Sequence, residues 1–165
     1  MSKRNGKYKR NPRDFYPTPP AAVKPLLRHL EPETYFAEPC CGDGDLVQEL
    51  ERKGHVCTYA DDISNGSDAL DFMSFKDETI ITNPPWSRDI LHPMIEHFIT
   101  QAPTWLLIDA DWMHTKQARP YMKHCNKIVS IGRVSWMGNG VSGFDNCCWY
   151  QFQNINFDAS LFYGR

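Results

Sequence analysis

The residues best equipped for chemistry are Asn83-Pro84-Pro85-Trp86, which end the apolar run Ile80-Ile81-Thr82. Neither proline has an N–H, so the corner cannot spend its carbonyls on its own donors. The Asn side-chain oxygen and a backbone carbonyl are therefore offered side by side, and an indole face follows at once. Two acceptors beside a flat apolar plate suit an exocyclic amino group on a planar ring, such as that of a nucleobase. Asn-Pro also starts ordinary turns, and a tryptophan can be plain core. The surrounding elements decide between these readings.

At 165 residues the chain is expected to form one domain with a normal core. Phe 9, Tyr 7 and Trp 5 give it a generous aromatic supply for stacking. No run approaches the roughly 18 apolar residues of a membrane span, and the polar start Met1-Ser2-Lys3-Arg4-Asn5-Gly6 does not resemble a signal peptide. Cys40, Cys41, Cys57, Cys125, Cys147 and Cys148 contain no C-x-x-C, so no metal site is expected. Reduced thiols and a cytoplasmic location are expected, in the host cytoplasm if the chain is phage-encoded.

Charge is uneven. Residues 1–13 hold six of the 18 Lys and Arg side chains, among them Lys7, Lys9 and Arg10, and no acid; the rest has 12 against 20 acids. A basic arm on an acidic body suits a polyanionic partner. The expected organisation is an arm over 1–13 and one domain over 14–165.

The elements needed to hold the corner can be read from period and punctuation. Thr18 and Pro19 suggest a helix start, with Val23, Leu26, Leu27 and Leu30 on one face. Tyr35 to Glu38 reads as a strand, Asp45 to Lys53 as a helix stopped by Gly54, and His55 to Ala60 as a second strand. Thr79 to Thr82 is a third strand; Ile90, Leu91, Met94, Ile95 and Phe98 mark a helix; Trp105 to Ile108 is another strand. Lys127–Ile131, Arg133–Met137 and Cys147–Phe152 read as strand around a loop at Gly138–Gly143. This order predicts an α/β fold: a Rossmann-like, mostly parallel, doubly wound sheet with an antiparallel hairpin at one edge.

Ligands of such sheets lie beyond the carboxyl ends of the strands. Three segments fall there. Gly42 and Gly44 let backbone approach a ligand closely. Asp61-Asp62 can accept ribose hydroxyls, and Asp71-Phe72 can meet an amino group and a ring face. Val47 replaces the third glycine of the dinucleotide fingerprint, and Asp43 and Asp45 repel phosphate. A phosphate-free, cationic nucleoside fits better.

Glu-Pro-Cys-Cys-Gly-Asp-Gly-Asp-Leu, Asp-Ile, Asp-Phe and Asn-Pro-Pro-Trp, in this order, resemble the class I S-adenosylmethionine-dependent amino-methyltransferases. The closest look is to small phage-type N6-adenine DNA methyltransferases. The resemblance implies that Tyr16, Thr18 and Pro19 line the methionine end of the cofactor. It implies that Glu38, Cys41, Gly42 and Gly44 form the loop beneath it. Asp62 with Ile63 would take the ribose, Asp71 and Phe72 the adenine, and Asn83 would reach both cofactor and target. Asn83, Pro84, Pro85 and Trp86 would receive the base, flipped or unpaired. Arg133 and the arm are expected on phosphates, and Phe144 over the base. No separate target-recognition domain is expected within these 165 residues, which implies loose specificity or a partner. DNA, single-stranded or duplex, is the leading substrate, with the protein a monomer or weak homodimer. RNA methylation at adenine N6 or guanine N2 uses the same acceptors. Protein glutamine methylation and a non-catalytic nucleic-acid binder are the weaker rivals.

Overall fold

The computed structural model describes residues 16–75 and 77–165. The basic arm, with Lys7, Lys9 and Arg10, lies outside the described residues. Seven strands form one sheet in the order β2-β1-β3-β4-β6-β5-β7. They are β1 (Tyr35–Glu38), β2 (Val56–Ala60), β3 (Thr79–Thr82), β4 (Thr104–Asp109), β5 (Cys125–Arg133), β6 (Asn146–Phe152) and β7 (Leu161–Tyr163). The helices are α1 (Pro20–Leu27), α2 (Asp45–Arg52), α3 (Arg88–Gln101) and the single turn α4 (Arg119–Met122).

Side-chain alternation explains why the sheet is covered on both faces. Along β4, Trp105 and Leu107 join the core under α1 and α2, while Leu106 and Ile108 join the core under α3. Phe36 and Ala37 of β1, and Ile81 and Ile80 of β3, divide the same way. Strands buried on both faces read as continuous apolar runs, as parallel strands between helical layers must. The pairs β1–β2, β1–β3 and β3–β4 are parallel, and β6 is antiparallel to both β4 and β5.

The expected α/β architecture is present, with particular differences. α1 begins at Pro20, not Pro19, and no side chain caps it; Thr18 is committed elsewhere, as described below. α1 ends at Leu27, where the chain turns instead of continuing to Leu30. The strand expected over Arg133–Met137 does not form. β5 bulges near Gly132, whose φ of +73° breaks the ladder, and it ends at Arg133. β7 pairs parallel to β5 outside the hairpin, a three-residue strand too short for periodicity to reveal.

One topological point places the site. The chain leaves β1 for β2 on one side and returns as β3 on the other, so the order reverses between β1 and β3. Crevices form at such switch points, beyond the carboxyl ends of the strands. Glu38 ends β1, and Asn83 follows β3 directly.

Candidate active site

A cleft opens at this switch point, lined by Tyr16, Thr18, Glu38, Cys41, Gly42 and Asn83. The proline corner borders it: Pro84 is buried, whereas Asn83, Pro85 and Trp86 are half-buried. The Asn83 amide is oriented. Its Nδ2 donates to the Tyr16 carbonyl at 3.4 Å and to Thr18 Oγ1 at 3.2 Å. A backbone carbonyl only accepts, so the amide nitrogen must face Tyr16 and Oδ1 remains the acceptor. This is why Thr18, 5 % exposed, does not cap α1. α1 itself is held to the sheet by Trp149, whose Nε1 donates to the Ala22 carbonyl at 2.8 Å.

The Trp86 ring is fixed too. Its Nε1 donates to the Leu107 carbonyl of β4 at 2.9 Å. Trp136, where the chain leaves β5, meets Trp86 nearly edge to face, with centroids 5.8 Å apart and planes at 78°. Trp136 also lies 5.9 Å from Tyr16 at 51°. Three aromatic rings thus border the acceptor corner. The sequence reading misses Trp136 because Ser135-Trp136-Met137 looks like more strand; its signal is the bulge glycine just before it. Phe144, expected over the base, is 69 % exposed on the same loop, and Arg133 is exposed at the end of β5.

The loop after β1 is assembled from local chemistry. Gly42 and Gly44 take positive φ of 52° and 85°, a conformation in which a Cβ is costly. Cys41 N–H donates to the Asp61 carbonyl at 2.9 Å, and Gly42 N–H donates to Asp62 Oδ2 at 3.1 Å. Asp62 Oδ1 accepts from Ser64 N–H, so Asp62 couples the loop to the turn after β2. Each of its oxygens keeps a second lone pair. Asp61 is more heavily used. Ser67, Asn65 and the Asp62 N–H donate to it and hold its carboxyl below the usual range.

Glu38 is the most unusual group. Its carboxyl is 1 % exposed; Oε1 accepts from Thr82 Oγ1 at 3.4 Å, and Oε2 has no partner among the described residues. Burial drives its pKa well above the ordinary value, and the Thr82 hydroxyl and Asn83 N–H offset only part of this. A buried oxygen left unpaired costs free energy unless a ligand completes it. A cation or hydrogen-bond donor in the cleft would do so. Burial also raises the Cys40 thiol strongly and pushes Cys41 up to about 11, so both stay protonated and uncharged near neutrality.

The remaining expected positions are less uniform. Pro19 precedes α1, and Ile63, 68 % exposed, opens a short 3-10 turn beside Asp62. Asp71 is exposed at the end of a second such turn. The Phe72 ring is in the core, 5.0 Å from Tyr59, and its carbonyl bonds His97 Nε2 at 2.7 Å. It is packed in the core and offers no open face. No cluster of His, Cys, Asp or Glu suited to a metal occurs among the described residues. Among them also, no helix is long and apolar enough to cross a membrane.

No family model and no curated protein matches the chain. Solved structures do. A candidate RNA methyltransferase from Pyrococcus horikoshii aligns with TM-score 0.62 at 14% identity, covering 90% of this chain and 93% of that one. A type I restriction-modification methyltransferase subunit from Streptococcus thermophilus aligns at 0.53 and 12%, covering 84% and 44%. A dimethyladenosine transferase from Plasmodium falciparum aligns at 0.53 and 13%, covering 87% and 63%. The fold is therefore that of Rossmann-like methyltransferases; this chain spans nearly all of the first neighbour and about half to two thirds of the others.

Proposed function

We propose that the protein transfers a methyl group from S-adenosylmethionine to the N6 amino group of adenine in DNA. The observation that carries this is the oriented Asn83 amide on a residue lining the cleft, its nitrogen tied to Tyr16 and Thr18 and its oxygen left as acceptor. Neighbours named as a dimethyladenosine transferase and a restriction-modification methyltransferase support the reading.

The residues present fit the donor. The unpaired Glu38 oxygen suits a hydrogen bond from its ammonium group, the glycines admit close backbone approach, and Asp62 retains lone pairs for ribose hydroxyls. The acids Asp43, Asp45, Asp61 and Asp62 suit a phosphate-free cation. When bound, S-adenosylmethionine supplies an electrophilic methyl carried on a sulfonium.

The chain's own task is to make a poor nucleophile competent. The lone pair of an aromatic amino group is delocalised into its ring. Asn83 Oδ1 and the Pro84 carbonyl accept its two N–H bonds and favour a tetrahedral nitrogen with a localised lone pair. Trp86, immobilised on β4, gives the base a face to stack on, worth about 1–3 kcal/mol. Trp136 and Tyr16 exclude water around it. With the donor held by Glu38 and Asp62, the lone pair that Asn83 and Pro84 localise would take the methyl in exchange for its bond to sulfur, and the surplus amino proton would leave to solvent. Positioning and aimed dipoles supply the acceleration. A duplex adenine must first leave its stack.

Asn83→Ala is expected to keep donor affinity within a few-fold by calorimetry and to lose at least a hundredfold in methyl transfer to DNA. Equal transfer by variant and parent would remove Asn83 from the mechanism. The near full-length match to a candidate RNA methyltransferase favours RNA as the second reading. Labelled methyl offered to DNA, RNA and protein together separates the substrates, and label on protein alone would defeat both.

A further inference from the structure

The loop between β5 and β6 inverts the usual arrangement of a surface loop. Three of its backbone N–H groups are bonded within the loop and its neck: Gly138 N–H donates to the Ser135 carbonyl at 3.3 Å, Val141 N–H to Asn139 Oδ1 at 3.0 Å, and Gly143 N–H to the Val134 carbonyl at 2.8 Å. Its apolar side chains face outward instead, with Met137, Val141 and Phe144 exposed by 68, 68 and 69 %. From Ser135 to Phe144 no residue is charged. The neck is Trp136, in contact with Trp86 and Tyr16 at the acceptor corner. Gly143 packs so tightly on that indole that a Cβ there would lie 3.2 Å from Trp136 Cδ1.

The projection carries no cation to pair with phosphates, and polar loop residues would serve if water were its only neighbour. The faces of stacked bases are the apolar surface that a nucleic-acid substrate brings to this position. Resting on the proposed function, we infer that this loop is a wedge: Met137 and Val141 enter the base stack of a duplex and fill the space that the target base leaves. Apolar side chains inserted between base steps unstack them in this way, and the flipped base then has a stacking surface waiting at the neck. The reading makes the duplex a true substrate and gives this small chain its means of opening one. Positive φ at Gly138 and Gly140, 64° and 77°, turns the tip sharply enough to present both side chains from one projection.

The test compares the parent with Met137→Ser/Val141→Ser. Methyl incorporation is measured on a duplex rich in adenine contexts and on the same strand alone. The expected result is a fall of at least tenfold in the duplex-to-single-strand ratio. In parallel, a duplex carrying 2-aminopurine should brighten on binding the parent and stay dim with the variant. An unchanged ratio, or equal losses on both substrates, would overturn the wedge. So would a protein dimer, seen by sedimentation without nucleic acid, that the substitutions abolish, since the patch would then cover a second copy. A parent that methylates neither substrate would refute the proposed function instead; the 2-aminopurine signal needs no transfer and still decides the wedge.

Discussion

Glu38 shows how one buried carboxyl makes the stability of the fold depend on pH. Its pKa is raised in the folded state, chiefly by burial. Folding then favours the protonated acid. The stabilisation is complete below the unfolded value, near 4.5, and is lost as pH rises through the higher folded value. Glu38→Gln keeps the shape and removes the titration. Between pH 5 and pH 8 the parent's melting temperature should therefore fall more than the variant's, while the variant binds the methyl donor at least tenfold more weakly. Parallel melting curves across that range would show that Glu38 carries no such burden. The positions of Glu38 and Asn83 at strand ends are legible in the sequence because each is followed by proline after an apolar run. Phe72 is not, because an apolar residue after an acid looks the same whether its ring meets a ligand or fills the core. Trp136 escapes because its role depends on where β5 stops.

At the level of elements, the glycine loop and α2 act as one unit. Gly44 caps α2 at a φ of 85°, and a Cβ there would meet only Gln48 Nε2, at an ordinary 3.9 Å. The penalty for Gly44→Ala is therefore backbone strain, about 1–2 kcal/mol, or a fall of several degrees in melting temperature. Gly54, beyond the other end of α2, has a φ of 90° and nothing near its missing Cβ. Gly54→Ala should cost similar stability yet leave donor affinity unchanged, whereas Gly44→Ala should weaken it. Equal binding by the two variants would separate the loop from the site. β1, β3 and α2 fall where expected because turn residues bracket clear apolar periods. The end of β5 and the existence of β7 depend on a bulge and on pairing with a distant strand, and neither leaves a local period to read.

At the scale of the whole molecule, charge and topology divide the work. Acids gather at the ends of β1 and β2, where a cationic nucleoside fits, and the concentrated positive charge is in residues 1–13. Deleting residues 2–13 should weaken DNA binding and flatten its salt dependence, by about 0.9 in log–log slope for each phosphate that the arm neutralises. Filter binding across a salt series measures this, and an unaltered slope would show that the arm takes no part. The glycine loop, meanwhile, is bonded to Asp62 through its own backbone, Gly42 N–H donating to Oδ2 at 3.1 Å. A socket braced by its own chain spends little affinity on ordering itself, and on the proposed reading Glu38 and Asp62 would hold the two ends of the donor. Such a socket discriminates poorly against a molecule lacking one methyl. The spent donor should therefore linger and compete with the fresh one, so that turnover in a cell follows how quickly the by-product is cleared.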